Sequence, residues 1–207
     1  MNKIYNISEL TPYINWLYFY HAWGLSGKPR EDKEKMKQEA LQMLASWEEK
    51  YHTHAIFRLF EVCSEGDDLI FFLSDKKLRF PMLRQQHPSA PGEPNLCLAD
   101  FIRPLSQGIR DQVGVFCTSV DGTIIDEYSH DDYLNMMAQT LSDRLAEATA
   151  EKLHEEVRRD RAYWGYAPDE NLTIEQQHRE EYQGIRPAIG YPSLPDTSAN
   201  FLIDQLI

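Results

Sequence analysis

The chain has 207 residues, of which 42% are hydrophobic and 26% charged, and its formal net charge is −12 at pH 7. This composition is ordinary for a folded protein with its own core, and the length predicts a single domain over residues 1–207. The negative charge argues against a nucleic-acid-binding surface, which would be basic. The sequence shows neither a signal-peptide pattern nor an apolar stretch long enough to span a membrane, so we expect a cytoplasmic protein.

Three cysteines are present, at Cys63, Cys97 and Cys117. Their number is odd and they form no Cys-x-x-Cys pair, so the sequence indicates neither a disulfide framework nor a zinc ribbon. Because Cys97 and Cys117 lie in apolar runs, we expect both to be buried free thiols.

The first 50 residues carry a helical pattern. Aromatic residues recur at helix-compatible spacing between Trp16 and Trp23, which predicts a helix or turn packed into the core. An amphipathic helix is predicted next, because one of its faces is apolar and the opposite face is charged. The apolar face contains Met36, Ala40, Met43, Leu44 and Trp47.

The middle of the chain changes to the pattern of strands. "AIFRLFEVCSEGDDLIFFLSD" predicts two strands joined by a turn at residues 65–68, which indicates a hairpin. "NLCLADFIRP" begins extended, and "IRDQVGVFCTSV" predicts a buried strand that ends at Asp121 and Gly122. Short connections favour a largely antiparallel sheet with flanking helices, that is, an α+β (mixed α/β) fold.

The longest periodic segment predicts one helix near residues 131–159, because its apolar residues fall on one stripe. Acidic residues dominate its start, and Arg158 and Arg159 lie at its end, as the helix dipole favours. Two short helices are predicted after it, one from Ile174 to about Tyr182 and one in the terminal "ANFLIDQLI".

Three side chains of the long helix could carry chemistry, because Glu147, Glu151 and His154 project from one side. Glu151-x-x-His154 and Glu175-x-x-His178 also match the pattern of di-iron carboxylate bundles. Such a site needs a four-helix core, whereas the middle of this chain is strand-like, so we predict no metal site. We favour a solvated helix face for Glu151 and His154. Glu147 lies beside the apolar stripe, so we expect it to be partly buried and to have a partner.

Common catalytic motifs are absent from the sequence. It has no Gly-rich phosphate loop, no G-x-S-x-G elbow and no evident Cys–His dyad, so we predict no catalytic residues for hydrolysis or phosphoryl transfer. The stretch "YQGIRPAIGYP" stands out instead. Pro187 and Pro192 prevent a helix there, and the rigid loop carries a single cation, Arg186.

Several motifs together give the chain a resemblance to a known family. They are "INWLYFYHAWGLSGK", "LRQQ", "CLADFI", "DDY", "LSDRLAEATAEKLHEEVRR" and "YWGYAPDENLTIEQQHREEYQGIRPAIGYP". In this order, and over nearly the whole chain from about Tyr13, the sequence closely resembles the C-terminal activation domain of cobalamin-dependent methionine synthase. The resemblance implies a mixed α/β fold around a twisted antiparallel sheet, in agreement with the periodicity.

The resemblance also implies a function. Domains of this family bind S-adenosylmethionine, dock over the cobalamin module and support reductive methylation of cob(II)alamin, with flavodoxin or a similar reductase as electron donor. The chain lacks the methyltransferase, folate and cobalamin modules. We therefore expect a free-standing activation module, a component rather than a complete enzyme, whose partner is the cobalamin-binding module of a separate methionine synthase.

The site residues follow from the same resemblance. It assigns Arg186 to the methionyl carboxylate of S-adenosylmethionine, a role that suits a bidentate, always charged guanidinium. It places the backbone at Ala188 and Gly190, together with Tyr191, on the adenosine side. It matches Glu147 to the family's helix carboxylate, which attracts the α-ammonium or the sulfonium-bearing chain.

The sequence departs from the family pattern in two places. Asn15 stands where the family has an aspartate, so a ligand-facing carboxylate is replaced by a neutral amide. The family also continues beyond Ile207 with a Gly/Ser-rich segment and tyrosines that complete the cofactor site. These departures leave an alternative function, a docking or regulatory module for a corrinoid protein that no longer binds S-adenosylmethionine.

Overall fold

The computed structural model describes residues 1–161, 172–182 and 184–207. Over these ranges the chain forms five strands, namely β1 (Asn2–Asn6), β2 (His52–Glu65), β3 (Asp68–Phe72), β4 (Lys77–Pro81) and β5 (Asp111–Val120). The α-helices of the same ranges are α1 (Ile7–Leu10), α2 (Trp16–Ala22), α3 (Arg30–Trp47), α4 (Thr123–Glu127), α5 (Asp132–Arg161), α6 (Ile174–His178) and α7 (Ala199–Ile203). The "YWGYAPDEN" part of the matched motifs, residues 163–171, lies outside the described residues.

The strands form one sheet in which β1, β2, β3 and β4 are neighbours in that order and β5 pairs with β2. The pairs along the β1–β4 path are antiparallel. The predicted hairpin is confirmed: Glu65, the last residue of β2, pairs with Asp68, the first residue of β3, and Gly66 in the turn has a φ of 62°. A positive φ is favourable for glycine, which explains why the turn lies here. The predicted α+β fold with a largely antiparallel sheet is confirmed.

The chain divides into two compact units, each built from two segments. Unit 1 consists of Met1–Ile56 and Cys117–Gln183, and unit 2 of Phe57–Phe116 and Gly184–Ile207. Strands β2 and β5 contribute residues to both units. That residues 1–207 act as one activation-like domain remains a prediction.

Unit 1 is organised around α5, which confirms the predicted long helix. A stripe on α5 is completely or almost completely buried and includes Met137, Leu141, Leu145, Ala148, Leu153 and Val157. This stripe follows the helical period, so burial of one face stabilises the helix more than the propensities of its residues do. Helix α3 buries Trp47, whose Nε1 donates a hydrogen bond to the Tyr128 hydroxyl at 2.9 Å.

Unit 2 has a compact apolar interior made from β-strand and C-terminal residues. The rings of Phe60, Phe71 and Phe80 form a series with centroid distances of 5.8 and 5.1 Å. The buried members of the cluster are Val62, Leu69, Phe71, Phe80, Cys97, Ala99, Val115 and Leu206. The predicted terminal helix is present as α7, and Leu206, just beyond it, lies in this cluster.

Two predictions about the burial of strand β5 are wrong. Cys97 is buried as expected, but Cys117 is exposed. Strand β5 is also less buried than its apolar sequence suggested, since Val115 is its one fully buried residue. Val115 and Cys117 are two residues apart and therefore lie on the same face of β5, so the cover over Val115 does not extend to Cys117. Within the described ranges, no helix is both long and apolar enough to cross a membrane.

Candidate functional site

The loop of residues 184–194, in unit 2, is held by its own backbone hydrogen bonds. The amide of Gly190 donates to the carbonyl of Leu194 at 2.8 Å, and the amide of Leu194 donates to the carbonyl of Tyr191 at 2.8 Å. The amide of Tyr191 donates to the carbonyl of Ala188 at 3.1 Å. These bonds fix a tight turn between Ala188 and Leu194.

Gly190 has a conformation that shapes this loop. Its φ is 98°, a value that residues with a side chain rarely adopt. A Cβ built at this position would meet no atom within 4 Å, so the space above the backbone is open. Because Gly190 has no side chain, a ligand could approach the backbone closely at this position.

The side chains of the loop differ in exposure. Ser193 and Leu194 are buried and anchor the loop in unit 2. Ala188 is exposed, Arg186 is half-buried, and the Tyr191 side chain is 53% exposed. The loop thus presents one cation and one aromatic ring on an anchored backbone.

Glu147 lies on α5 in unit 1 and has the partner that its position predicted. Nη1 of Arg144, one turn earlier, donates to Oε2 of Glu147. The side chains of Arg144 and Glu147 are 22% and 40% exposed. The guanidinium carbon of Arg144 also lies 5.8 Å from the ring centroid of Tyr18 on α2. The expected burial of Glu147 is therefore partial, and its charge is balanced by a neighbour on the same helix.

Asn15 has a local structural role. It is the N-cap of α2, where its Oδ1 accepts a hydrogen bond from the amide of Leu17 at 3.2 Å. Asparagine and aspartate are both favourable at this position, so the substitution preserves the cap. An asparagine directly before an aromatic helix is the sequence signal for this role.

The expected solvated face at Glu151 and His154 is wrong, because both residues are buried. Nε2 of Gln177 donates to Oε2 of Glu151 at 2.6 Å and to its backbone carbonyl at 2.8 Å. The ring of His154 meets the ring of Tyr182 edge to face at 4.8 Å. Helix α6 and the residues after it cover this part of α5, so its polar side chains lie in the interior.

The metal pattern does not assemble in the part of the chain that the structure describes. Glu151 meets Gln177, not Glu175, and His178 Nε2 lies 2.9 Å from the carbonyl oxygen of Tyr13. No group of three or more His, Cys, Asp or Glu side chains among the described residues could hold a metal ion. The predicted α6 is also shorter than expected, because Glu180 adopts a φ of 57° after the helix.

The six predicted ligand residues fall in both units. Arg186, Ala188, Gly190 and Tyr191 are brought together by the loop of unit 2. Unit 1 contains Asn15 and Glu147. Their assignment to a ligand remains a prediction.

The chain matches a known protein family in sequence and a solved structure in fold. The sequence model described as vitamin B12 dependent methionine synthase, activation domain, matches residues 6–207. A solved structure, the crystal structure of the MetH reactivation domain bound to AdoHcy, is 35% identical with a TM-score of 0.86. That match covers 100% of this chain and 69% of the solved chain. The chain therefore belongs to the family of vitamin B12 dependent methionine synthase activation domains.

Proposed function

We propose that this chain is an activation module that binds S-adenosylmethionine and supports the reductive methylation of cob(II)alamin in a partner methionine synthase. The observation that carries the proposal is the 35% identical reactivation domain solved with AdoHcy. AdoHcy is the molecule that S-adenosylmethionine becomes when its methyl group is transferred. A family member that binds it supports a site for the cofactor here.

The loop of unit 2 supplies groups that fit this ligand. The guanidinium of Arg186 has the planar donor pair that a carboxylate accepts, which suits the methionyl carboxylate. The open backbone at Gly190 suits the close approach of a flat adenosine, and the exposed ring of Tyr191 offers an apolar face. Because backbone bonds fix residues 188–194 before the ligand arrives, this segment loses little conformational entropy on binding.

The resemblance to the family assigns Glu147 and Asn15 to the cationic part of the ligand. Glu147 can attract the ammonium or the sulfonium-bearing chain. Asn15 can contribute less than an aspartate would, because its Oδ1 carries no charge and already accepts the amide of Leu17. The attraction of a cationic ligand in this unit therefore rests mainly on Glu147.

The role of the protein in this chemistry is positioning and charge complementarity. The cofactor supplies a methyl group, whose bonding electrons stay on sulfur as the sulfonium becomes a neutral thioether. The methyl acceptor is cobalamin, held by the partner module and reduced with an electron from flavodoxin or another reductase. The residues of this chain hold the ligand and provide no nucleophile.

Calorimetric titration with S-adenosylmethionine tests the proposal. We expect wild-type protein to bind and Arg186→Ala to bind at least tenfold more weakly, since a charged hydrogen bond contributes about 1.5–3 kcal/mol. Arg186→Lys keeps the charge but loses the planar donor pair, so we expect an intermediate affinity. Arg79→Ala is the control, because Arg79 is an exposed arginine of unit 2 that pairs with Glu65 and Asp68. Equal binding by Arg186→Ala and wild type would contradict the mechanism.

The partner is tested separately, by capture of this chain on the isolated cobalamin-binding module of a methionine synthase. We expect capture together with cofactor binding. Capture by the module without any binding of S-adenosylmethionine would favour the alternative, a docking or regulatory module for a corrinoid protein.

A further inference from the structure

Glu147 is not a vacant carboxylate, because Arg144 already neutralises it. We propose that Arg144 is a built-in competitor of the cationic ligand: it is the resident counter-ion of Glu147, and the positive part of S-adenosylmethionine must displace it. This inference rests on the proposed function and concerns the control of affinity at that site.

The geometry makes the pair exchangeable. The two residues are three positions apart on α5, and both side chains are partly exposed. Ion pairs of this kind are weak, because solvent screens the attraction and two long side chains lose freedom. A ligand that brings its own positive charge can therefore replace the guanidinium.

Glu151, one turn further along α5, provides the contrast. The carboxylate of Glu151 is buried, and Gln177 donates to it at 2.6 Å. A buried, hydrogen-bonded carboxylate cannot change its partner without opening the interior. Of these two carboxylates, Glu147 is the one arranged for exchange.

Tyr18 gives the displaced guanidinium a second contact. Its ring centroid is 5.8 Å from the guanidinium carbon, within the range of a cation–π interaction. The ring itself is 54% exposed, so it can remain in contact while Arg144 turns away from Glu147. This cation–π contact partly offsets the attraction that Arg144 loses when it leaves Glu147.

Arg144 thus lowers the affinity for a cation, because it occupies the carboxylate that the cation would use. Removing Arg144 should tighten binding, whereas a residue that only supports the fold would weaken binding or leave it unchanged when removed.

Calorimetry with S-adenosylmethionine on Arg144→Met tests this inference. We expect binding about two- to fivefold tighter than wild type, the range that corresponds to a partly exposed ion pair. Arg159→Met is the matched control, since Arg159 pairs with Glu155 one turn away on the same helix. We expect its affinity to stay within about 1.5-fold of wild type. Arg144→Gln is a second neutral variant, and circular dichroism checks that each variant is folded.

The same measurement with Glu147→Gln separates competition from general repulsion. If Arg144 acts through Glu147, Arg144→Met should lose its effect when it is combined with Glu147→Gln. Equal tightening in both backgrounds overturns the inference, as does unchanged or weaker binding by Arg144→Met while wild type binds. If wild type does not bind S-adenosylmethionine, the proposed function fails and this inference fails with it.

Discussion

The two units have interiors of different chemistry. Unit 2 encloses an apolar cluster with a series of phenylalanine rings at its centre. Unit 1 has an apolar stripe as well, but it also buries a group of polar side chains: Thr149, Glu151, His154, Arg158 and Gln177. Among the described residues, every buried Glu, His or Arg side chain belongs to unit 1.

The difference shows two ways of fixing an interior. Apolar contacts are non-directional, so an apolar core accepts exchanges that keep its volume. Buried hydrogen bonds need particular atoms at particular distances and penalise any loss of a partner. Unit 2 should therefore respond to lost volume, and unit 1 should respond to lost hydrogen bonds even when volume is kept.

Loss of volume in unit 2 should have the largest effect. Phe71 is 4% exposed and its ring contacts both Phe60 and Phe80. We expect Phe71→Ala to lower the free energy of unfolding by about 3–5 kcal/mol, because it leaves a cavity. Urea denaturation measures this change. Phe201→Ala, at a side chain that is 75% exposed, should change stability by about 0.5 kcal/mol or less. Similar losses in the two variants would contradict an apolar core centred on Phe71.

Loss of a hydrogen bond in unit 1 should have the next largest effect. Gln177→Leu keeps the size of the side chain but removes the donor to Glu151, so we expect a loss of about 1.5–3 kcal/mol. In unit 2, the size-conserving exchange Leu69→Met should cost less than about 1.5 kcal/mol.

The control for Gln177→Leu is Glu175→Ala, an exposed position on the same helix, which should be close to neutral. Urea denaturation of the three variants compares the units directly. If Gln177→Leu were no more costly than Leu69→Met, the proposed contrast between the two interiors would be wrong.

The smallest effect concerns an ionic network at the surface of unit 2. The guanidinium of Arg84 binds Asp67 and Asp100, and this contact holds the pKa of the Asp100 carboxyl below its usual value. A lowered folded-state pKa stabilises the protein above the unfolded-state pKa of about 3.9. That contribution is lost as the pH falls through the lower folded-state value.

Asp100→Asn should therefore destabilise the protein at pH 7 by about 1 kcal/mol or less, since the pair is partly exposed. The difference between variant and wild type should shrink as the pH falls below about 4. Urea midpoints at pH 7 and pH 3 check both points. A difference that grows at low pH would show that Asp100 stabilises the fold in another way.

The sequence predicted the elements that are decided locally. The apolar period gave the long helix α5, and Gly66 between two apolar runs marked the hairpin of β2 and β3. The five-residue strand β1 was not predicted, because its single buried side chain, Tyr5, gives no clear alternation. The burial of Glu151 and His154 could not be read from α5 alone, since α6 creates it from a distant part of the chain.

The candidate site was predictable in a different way. The prolines showed that residues 184–194 form an irregular loop, but only the resemblance to a family attached a ligand to Arg186. Two local signals in the sequence indicate parts of this site. An asparagine before a helix indicated the cap at Asn15, and the three-residue spacing of Arg144 and Glu147 indicated their ion pair.

The division of each unit into two chain segments limits how the protein can be dissected. The boundaries fall after Ile56, Phe116 and Gln183, so the chain passes from one unit to the other three times. A single cut can leave one unit whole, but no single cut yields two fragments that each contain a whole unit. A cut after Phe116 or Gln183 would separate the Arg186 loop from the other segment of unit 2. To study the loop in isolation, residues 57–116 should be joined directly to residues 184–207 in one polypeptide, because together they make up unit 2.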